Sequence, residues 1–324
     1  ISPDGKYIAY LMLGTSTGGL WVRQTATDSA VKLLPPMTCW GLQFSRDSNF
    51  IYYNFADADH PEGALYKIPV LGGSPRLVLE RLGGGVSLSP DGKRMAFKRA
   101  NKETGQSDLI SANVDGSDER VILPANPHDA VWLFDWSPDG KRMAYSVRNA
   151  SLDGQITWQV KEVPAEGGDE KPITAPQKES LTSIIWLPDG SGLIATAVDK
   201  ATGLPQLWHL AYPGGQATRI TNDSNWYWGA TITADGETIL AQRAQGSTNL
   251  WTGDADDLTQ LRKITADAGA CDDLSWTPDG RILYSEGDNG NSEVWVINPD
   301  GTGRQRLTSD QSQNRWPVMS PDGR

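Results

Sequence analysis

A hydroxyl two residues ahead of a carboxylate recurs along this chain. Ser2 precedes Asp4, Ser89 precedes Asp91, Ser137 precedes Asp139, Thr233 precedes Asp235, Thr277 precedes Asp279 and Ser320 precedes Asp322. Such a pair could serve as a nucleophile and its acid-base partner. The spacing argues for something else. With the variants Ser45-Arg46-Asp47-Ser48 and Leu187-Pro188-Asp189-Gly190, the signature Ser-Pro-Asp-Gly stands eight times, its Asp at 4, 47, 91, 139, 189, 235, 279 and 322. The intervals are 43, 44, 48, 50, 46, 44 and 43 residues. Pro sets φ for the start of a type I turn, Asp bonds local backbone, and Gly accepts the left-handed conformation that ends it. That sequence of conformations is a common hairpin connection. A pair repeated in every period is therefore a turn.

Other chemistry is sparse. A serine nucleophile elbow, Gly-x-Ser-x-Gly at a strand-to-helix turn, is not expected in this chain. His60, His128 and His209 form no His-x-x-x-His pair, and the two Cys form no Cys-x-x-Cys, so no zinc site is expected. The run Glu286–Glu293 resembles a calcium loop but lacks the twelve-residue spacing, and reads as a plain strand connection. Gly83-Gly84-Gly85 leads into a strand and so lacks the helix N-terminus that holds phosphate. Adjacent acids such as Asp256-Asp257 and Asp272-Asp273 point apart on a strand, whereas glycosidase carboxylates face each other. No catalytic residue, metal or cofactor is expected, and a glycosidase or lactonase using a central channel is the weakest alternative.

The elements that must position any site follow from the period. An apolar residue stands three before each signature Asp, from Ile1 and Phe44 to Trp276 and Met319. Call the strand before the signature A and the one after it B. B alternates, as in Arg142-Met143-Ala144-Tyr145. Strand C carries a large residue, as in Leu207-Trp208 or Val294-Trp295-Val296, and strand D ends in Ile or Leu, often with Thr. No segment sustains a helical apolar period. Four short strands in 40 to 50 residues are the mark of a propeller blade. B, C and D occur seven times; the final A segment, Asn314–Met319, has no B-C-D set of its own. The economical solution is an all-β, seven-bladed β-propeller over residues 1–324, four antiparallel strands per blade, with the C-terminal strand completing the first blade and hiding the open edges.

At Trp136-Ser137-Pro138-Asp139-Gly140-Lys141-Arg142-Met143-Ala144-Tyr145 and its partner copies the chain resembles the TolB-type propellers, relatives of the WD-repeat propellers. The resemblance covers the whole chain and implies a toroid of blades. TolB itself carries six blades and an N-terminal α/β domain, so seven periods are a departure. Similar propellers gate substrate in prolyl oligopeptidases and sense ligands outside the membrane in bacterial receptor kinases. The resemblance implies a periplasmic or otherwise extracytoplasmic place, and the chain reads as a domain excised from a longer protein.

The balance of 29 basic and 40 acidic residues, −11, disfavours a polyanion such as nucleic acid. No apolar run reaches the roughly 18–20 residues that cross a bilayer, so no direct membrane insertion is expected. Cys39 and Cys271 lie two A strands apart, beyond disulfide reach, and read as unbridged, partly buried thiols.

In an antiparallel blade the A–B and C–D turns share one face and the B–C and D–A connections the other. The second set is long and individual: 54–63, 124–129 and 309–314. Variable loops on a rigid frame carry binding. Eight of the thirteen Trp belong to the repeat frame and read as core: Trp21, Trp158, Trp208, Trp251 and Trp295 in C strands, Trp136, Trp186 and Trp276 ending A strands. The other five, Trp40, Trp132, Trp226, Trp228 and Trp316, stand at A-strand starts, on the variable face. Strand parity sends Trp40, Trp132 and Trp228 toward the inter-blade core; Trp226 and Trp316 break register and are more accessible. With Tyr227, His128, Asp272, Asp273 and Arg315 these Trp make the candidate surface for a protein or peptide partner, or a small ligand. The expected function is non-catalytic binding or sensing. The alternative is the gating propeller of a prolyl-oligopeptidase-like serine peptidase whose hydrolase domain lies outside this chain.

Overall fold

The computed structural model describes residues 1–12, 18–27, 29–37, 39–150, 155–223, 225–244, 249–254, 256–265, 270–288, 291–310, 314–320 and 322. Among these, every regular element is a strand and none is a helix. No helix is therefore long and apolar enough to cross a membrane.

The strands fall where the period places them. The first sheet holds β1 (Tyr7–Met12), β2 (Gly19–Gln24) and β3 (Ala30–Leu34). Four-stranded sheets follow: β4 (Cys39–Phe44), β5 (Phe50–Phe55), β6 (Ala64–Pro69) and β7 (Arg76–Glu80); then β8 (Gly83–Leu88), β9 (Arg94–Ala100), β10 (Ser107–Asn113) and β11 (Arg120–Leu123). The next is β12 (Asp129–Trp136), β13 (Arg142–Ala150), β14 (Ile156–Pro164) and β15 (Lys171–Pro172), and after it β16 (Leu181–Trp186), β17 (Gly192–Val198), β18 (Pro205–Ala211) and β19 (Ala217–Arg219). The sixth period appears as two pairs, β20 (Trp226–Ile232) with β21 (Ile239–Ala244), and β22 (Trp251–Asp254) with β23 (Asp257–Lys263). The last sheet is β24 (Ala270–Trp276), β25 (Ile282–Asp288), β26 (Asn291–Ile297) and β27 (Gln305–Arg306). Each four-stranded sheet runs in sequence order, the up-and-down topology of a propeller blade.

One expectation fails. Residues 314–320 form no strand. Trp316 takes φ +54°, a left-handed conformation that interrupts extended backbone. The preceding residues 311–313 of the 309–314 connection lie outside the described residues, as do Pro321 and Gly323 of the last signature and Asn289-Gly290 of the calcium-like loop.

The structure divides into two compact units. One comprises Ile1–Ala197, Leu207–Thr221 and Trp228–Gln242; the other comprises Val198–Gln206, Asn222–Tyr227 and Arg243–Arg324. In the first, cores form between consecutive sheets. Leu109 and Ile122 of one sheet pack with Val131, Trp136, Met143 and Val163 of the next. Ala144, Val160 and Ile173 then pack with Ile184, Trp186 and Leu193. In the second unit, Leu250 and Ile264 pack with Cys271, Ile282, Tyr284 and Ile297. Cys39 is half-buried and Cys271 buried, both as thiols. At roughly 25 cal/mol per Å² of apolar surface, these inter-sheet contacts supply most of the driving force.

The signature turns share one hydrogen-bond pattern. In 137–142 the Ser137 hydroxyl donates to Asp139 Oδ1 at 2.6 Å and accepts the Arg142 N–H at 3.0 Å. Asp139 Oδ1 also accepts the Lys141 N–H at 3.0 Å, and the Gly140 N–H reaches Ser137 O at 2.9 Å. The same set recurs around Ser2, Ser45, Ser89 and Thr233. Gly5, Gly92, Gly140, Gly190, Gly236 and Gly280 all have φ between +68° and +83°. At Ser48 a non-Gly residue takes φ +62°, and its hydroxyl accepts the Asp4 N–H from the previous signature at 3.2 Å. The Leu187 copy has no hydroxyl; Ser191 takes over, donating to Asp189 Oδ1 at 2.7 Å.

Two predictions follow from these turns. Ser137 is buried, so Ser137→Ala leaves the Arg142 N–H unsatisfied and costs about 1–3 kcal/mol in urea unfolding. The carboxylates set an acid limit. Bonds from Ser89 and Ser137 hold Asp91 and Asp139 below the usual range. Arg281, then Thr277, hold Asp279 at about 2. Asp4 is also held at about 2; slight burial opposes the shift, and bonds from Ser2 and Lys6 outweigh it. Folded values below the unfolded value of about 3.9 give stability that is complete above that pH. It is lost as pH falls through the folded values. The urea midpoint is expected to hold from neutral pH to near 4, then fall steeply toward pH 2, with a shallower fall in Asp139→Asn.

Candidate functional site

Five A strands, β4, β8, β12, β16 and β24, are interrupted at one place, near their starts, at the edge opposite the signature turns. In β4 the ladder passes from Cys39↔Phe55 to Gly41↔Asn54, leaving Trp40 unpaired. In β12 it passes from Val131↔Val147 to Leu133↔Ser146, leaving Trp132 out. Thr182 is skipped in β16, Asp273 in β24, and Gly84 and Gly85 together in β8. These are β-bulges, which bend a strand and re-aim a side chain.

The bulge overturns the parity reading. Without it Trp40 and Trp132 would share a face with Phe44 and Trp136. With one extra residue in between, alternation is broken. Trp40 and Trp132 are each 51% exposed, whereas Trp136 is 4% exposed. The Trp40 ring lies over the B–C loop, 3.3 Å from where a Gly63 Cβ would stand. The Trp132 ring meets Trp158 edge-on at 6.0 Å. Trp228, in the same unit, is also exposed. His128 is exposed, its N–H bonded to Asn126 Oδ1 at 3.0 Å.

Between Trp40 and Trp132, in sheet order, comes the glycine run of β8. A Cβ at Gly41 would lie 2.6 Å from Gly85 Cα, so β4 and β8 approach closely. Asn54 is buried; its amide donates to Gly84 O at 2.6 Å while its Oδ1 has no partner. Three A strands are also tied further along. Asp135 of β12 accepts Ser87 Oγ at 2.8 Å and the Trp186 N–H at 2.9 Å, and Trp136 Nε1 donates to Ser87 O at 3.2 Å. Burial pushes the Asp135 carboxyl up against these bonds. On the B–C loop, His60 Nδ1 lies 3.1 Å from Asp57 and 3.2 Å from the Tyr66 hydroxyl, and its Nε2 lies 3.5 Å from Glu80.

In the second unit, Trp226 is 47% and Trp316 75% exposed, and Arg315 is exposed. Tyr227 differs from expectation. Its ring is buried, with the hydroxyl donating to Asp223 at 2.8 Å, so it supports Trp226 rather than offering a stacking face. Asp273 takes φ +50° at its bulge and accepts Ser285 Oγ at 3.4 Å, while Asp272 sits in the ladder opposite Ser285. Two frame residues are also not core: Trp251 and Trp276 are exposed and line a groove of about 750 Å³ with Leu274, Ile282, Arg262 and Pro299.

Gly14-Thr15-Ser16-Thr17-Gly18 does spell Gly-x-Ser-x-Gly, which the sequence reading did not anticipate. Residues 14–17 lie outside the described residues. The segment joins the paired antiparallel strands β1 and β2. Among the described residues no three His, Cys, Asp or Glu are placed to hold a metal ion.

The chain is similar to proteins of known name over part of its length. It is 28% identical over 156 residues to the Tol-Pal system protein TolB of Anaeromyxobacter dehalogenans (strain 2CP-C), covering 48% of this chain and 34% of that protein. It is 33% identical over 138 residues to Dipeptidyl-peptidase 5 of Arthroderma otae, covering 37% of this chain and 18% of the other. These alignments span about a third or less of each curated relative. The crystal structure of TolB from Acinetobacter baumannii superposes with a TM-score of 0.51 at 19% identity, covering 96% of this chain and 82% of that one, which shows a shared fold. Residues 89–321 match the family described as TolB beta propeller domain. The chain therefore belongs to the TolB beta propeller domain family.

Proposed function

We propose that this chain is a non-catalytic binding propeller that recognises a protein or peptide through the bulged ends of its A strands. The observation that carries the reading is the pair of exposed indoles, Trp40 and Trp132, each placed by a bulge on an otherwise regular sheet. Exposed Trp on a rigid frame is the usual anchor of an interface. Trp228 and His128 belong to the same surface. In the second unit, Trp226, Asp273, Arg315 and Trp316 make a candidate contact surface of their own, with Tyr227 as support. The signature Ser-Asp pairs are held in turn hydrogen bonds, which supports a structural role for them. The relatives named for the Tol-Pal system support a protein partner and an extracytoplasmic place.

The same reading includes a single domain of seven blades, with the segment after 313 completing the sheet of β1–β3. Support comes from seven B-C-D sets and from a first sheet that lacks an A strand. Deleting residues 313–324 should lower the melting temperature by several degrees. An unchanged melting temperature argues against closure by this segment.

A second reading has a specific observation in its favour, the likeness to Dipeptidyl-peptidase 5. There the propeller would gate peptides to a hydrolase domain on the same polypeptide. A strand-turn-helix Gly-x-Ser-x-Gly segment encoded downstream decides for it.

The binding face is tested with a random-peptide phage library panned on the immobilised chain. Selected peptides are expected to bind at least about tenfold more weakly to Trp40→Ala/Trp132→Ala, a loss of about 1.4 kcal/mol or more. Asp91→Asn, on the signature edge, is expected to leave binding unchanged. The opposite pattern would place the working surface at the signature turns.

A further inference from the structure

Lys98 and Lys161, half-buried lysines on adjacent sheets of the larger unit, are treated differently. Lys161 of β14 has Glu170 at 3.1 Å and Asp129 at 3.5 Å. Lys98 of β9 has no carboxylate within ion-pair distance among the described residues. Its ammonium donates instead to Trp132 O at 3.1 Å and Val131 O at 3.3 Å, and stands 5.4 Å from the centre of the Trp132 ring. Burial lowers its pKa, with no acidic neighbour acting against it.

A lysine withdrawn from water without a counter-charge is costly. The two carbonyls at the Trp132 bulge account for two of its three N–H donors. The third remains uncommitted. The stem of Lys98 lies over Gly84, whose absent Cβ would stand 3.5 Å from Lys98 Cε. Gly84 has φ +85° and no side chain to cover the ammonium. In the corresponding bulges of the sheets before and after it stand the exposed indoles Trp40 and Trp132. At the position between those two bulges the chain thus presents no side chain, and the end of Lys98 lies beside it.

We propose that Lys98, Gly84 and Trp132 form a receptor for a carboxylate carried by a bound peptide. Lys98 supplies the third N–H and the charge, Gly84 leaves room, and the Trp132 face packs against the apolar residue beside the carboxylate. This rests on the peptide-binding reading and names the chemistry it selects. In a chain of net charge −11 the selection works at contact distance, since the overall field repels anions.

The test uses three probes: acetyl-Leu-Glu-amide, acetyl-Leu-Gln-amide, and acetyl-Leu-Gln with a free C-terminal carboxylate. Binding is read from the Trp132 indole N–H and Lys98 Cε NMR signals. At least one carboxylate probe is expected to bind about tenfold or more tightly than the neutral amide. Which one does so separates a side-chain from a terminal carboxylate. Lys98→Met, which keeps the stem, should bring the probes within about twofold of one another, and Lys98→Arg should keep the preference. Circular dichroism confirms that each variant retains its strands; if Lys98→Met does not, loss of the preference on raising salt replaces it. Equal binding of all three probes overturns the carboxylate receptor. If Trp132→Ala then weakens all three, the peptide-binding reading survives that failure. Absence of binding by any probe at millimolar concentration, or a preference that survives Lys98→Met, also overturns it.

Discussion

The structure depends on one short hydrogen-bonded turn, made in closely similar form from period to period. A hydroxyl at its first position donates to the Asp carboxylate and accepts the N–H five residues on. That closes the hairpin between strands A and B and fixes which residues of each face the next sheet. The apolar residue three before the Asp then lands in the inter-sheet core, as Phe44, Leu88, Trp136 and Trp186 do. The sheets stack because those residues and the alternating B strands present apolar faces on both sides. The turn itself contributes little burial. Its value is register, since a slip of one residue would send each strand's core residues to the wrong face.

Once one end of each A strand is fixed, the other end is where the pattern can vary. The bulges exploit this. They insert an extra residue where the ladder is furthest from the turn, and in β4 and β12 they turn a position that alternation would bury into one that faces out. Different residues then occupy one geometric position: Trp in β4 and β12, Gly in β8, Thr in β16, Asp in β24. A repeated frame thereby presents a non-repeated surface. The close approach of Gly41 to Gly85 shows how near the frames come at this level.

Much of the fold was legible because the turn chemistry is local. Pro, Asp and Gly at fixed offsets carry their conformations with them, so the strand order and the absence of helix among the described residues follow from counting. The site was less legible for a physical reason. Parity arguments assume unbroken pairing, and no residue type marks a bulge in advance; strand parity therefore points Trp40 and Trp132 toward the core although their place at the A-strand starts puts them on the candidate surface. The position of Tyr227 beside Trp226 suggests a surface ring, yet its hydroxyl has a carboxylate partner at Asp223 that lets it stay buried. Trp251 and Trp276 were assigned to the frame by position, but the groove beside them leaves both exposed. The strand at 314–320 fails at Trp316, whose left-handed backbone no propensity would suggest.

The most direct measurement is the solvent accessibility of individual indoles, read from the broadening of each Trp Nε1–H signal by a soluble paramagnetic reagent. The account predicts strong broadening for Trp40, Trp132 and Trp228, with Trp136 and Trp186 protected. Protection of Trp40 and Trp132 to the level of Trp136 would mean that strand alternation continues through the bulge positions, and would contradict it.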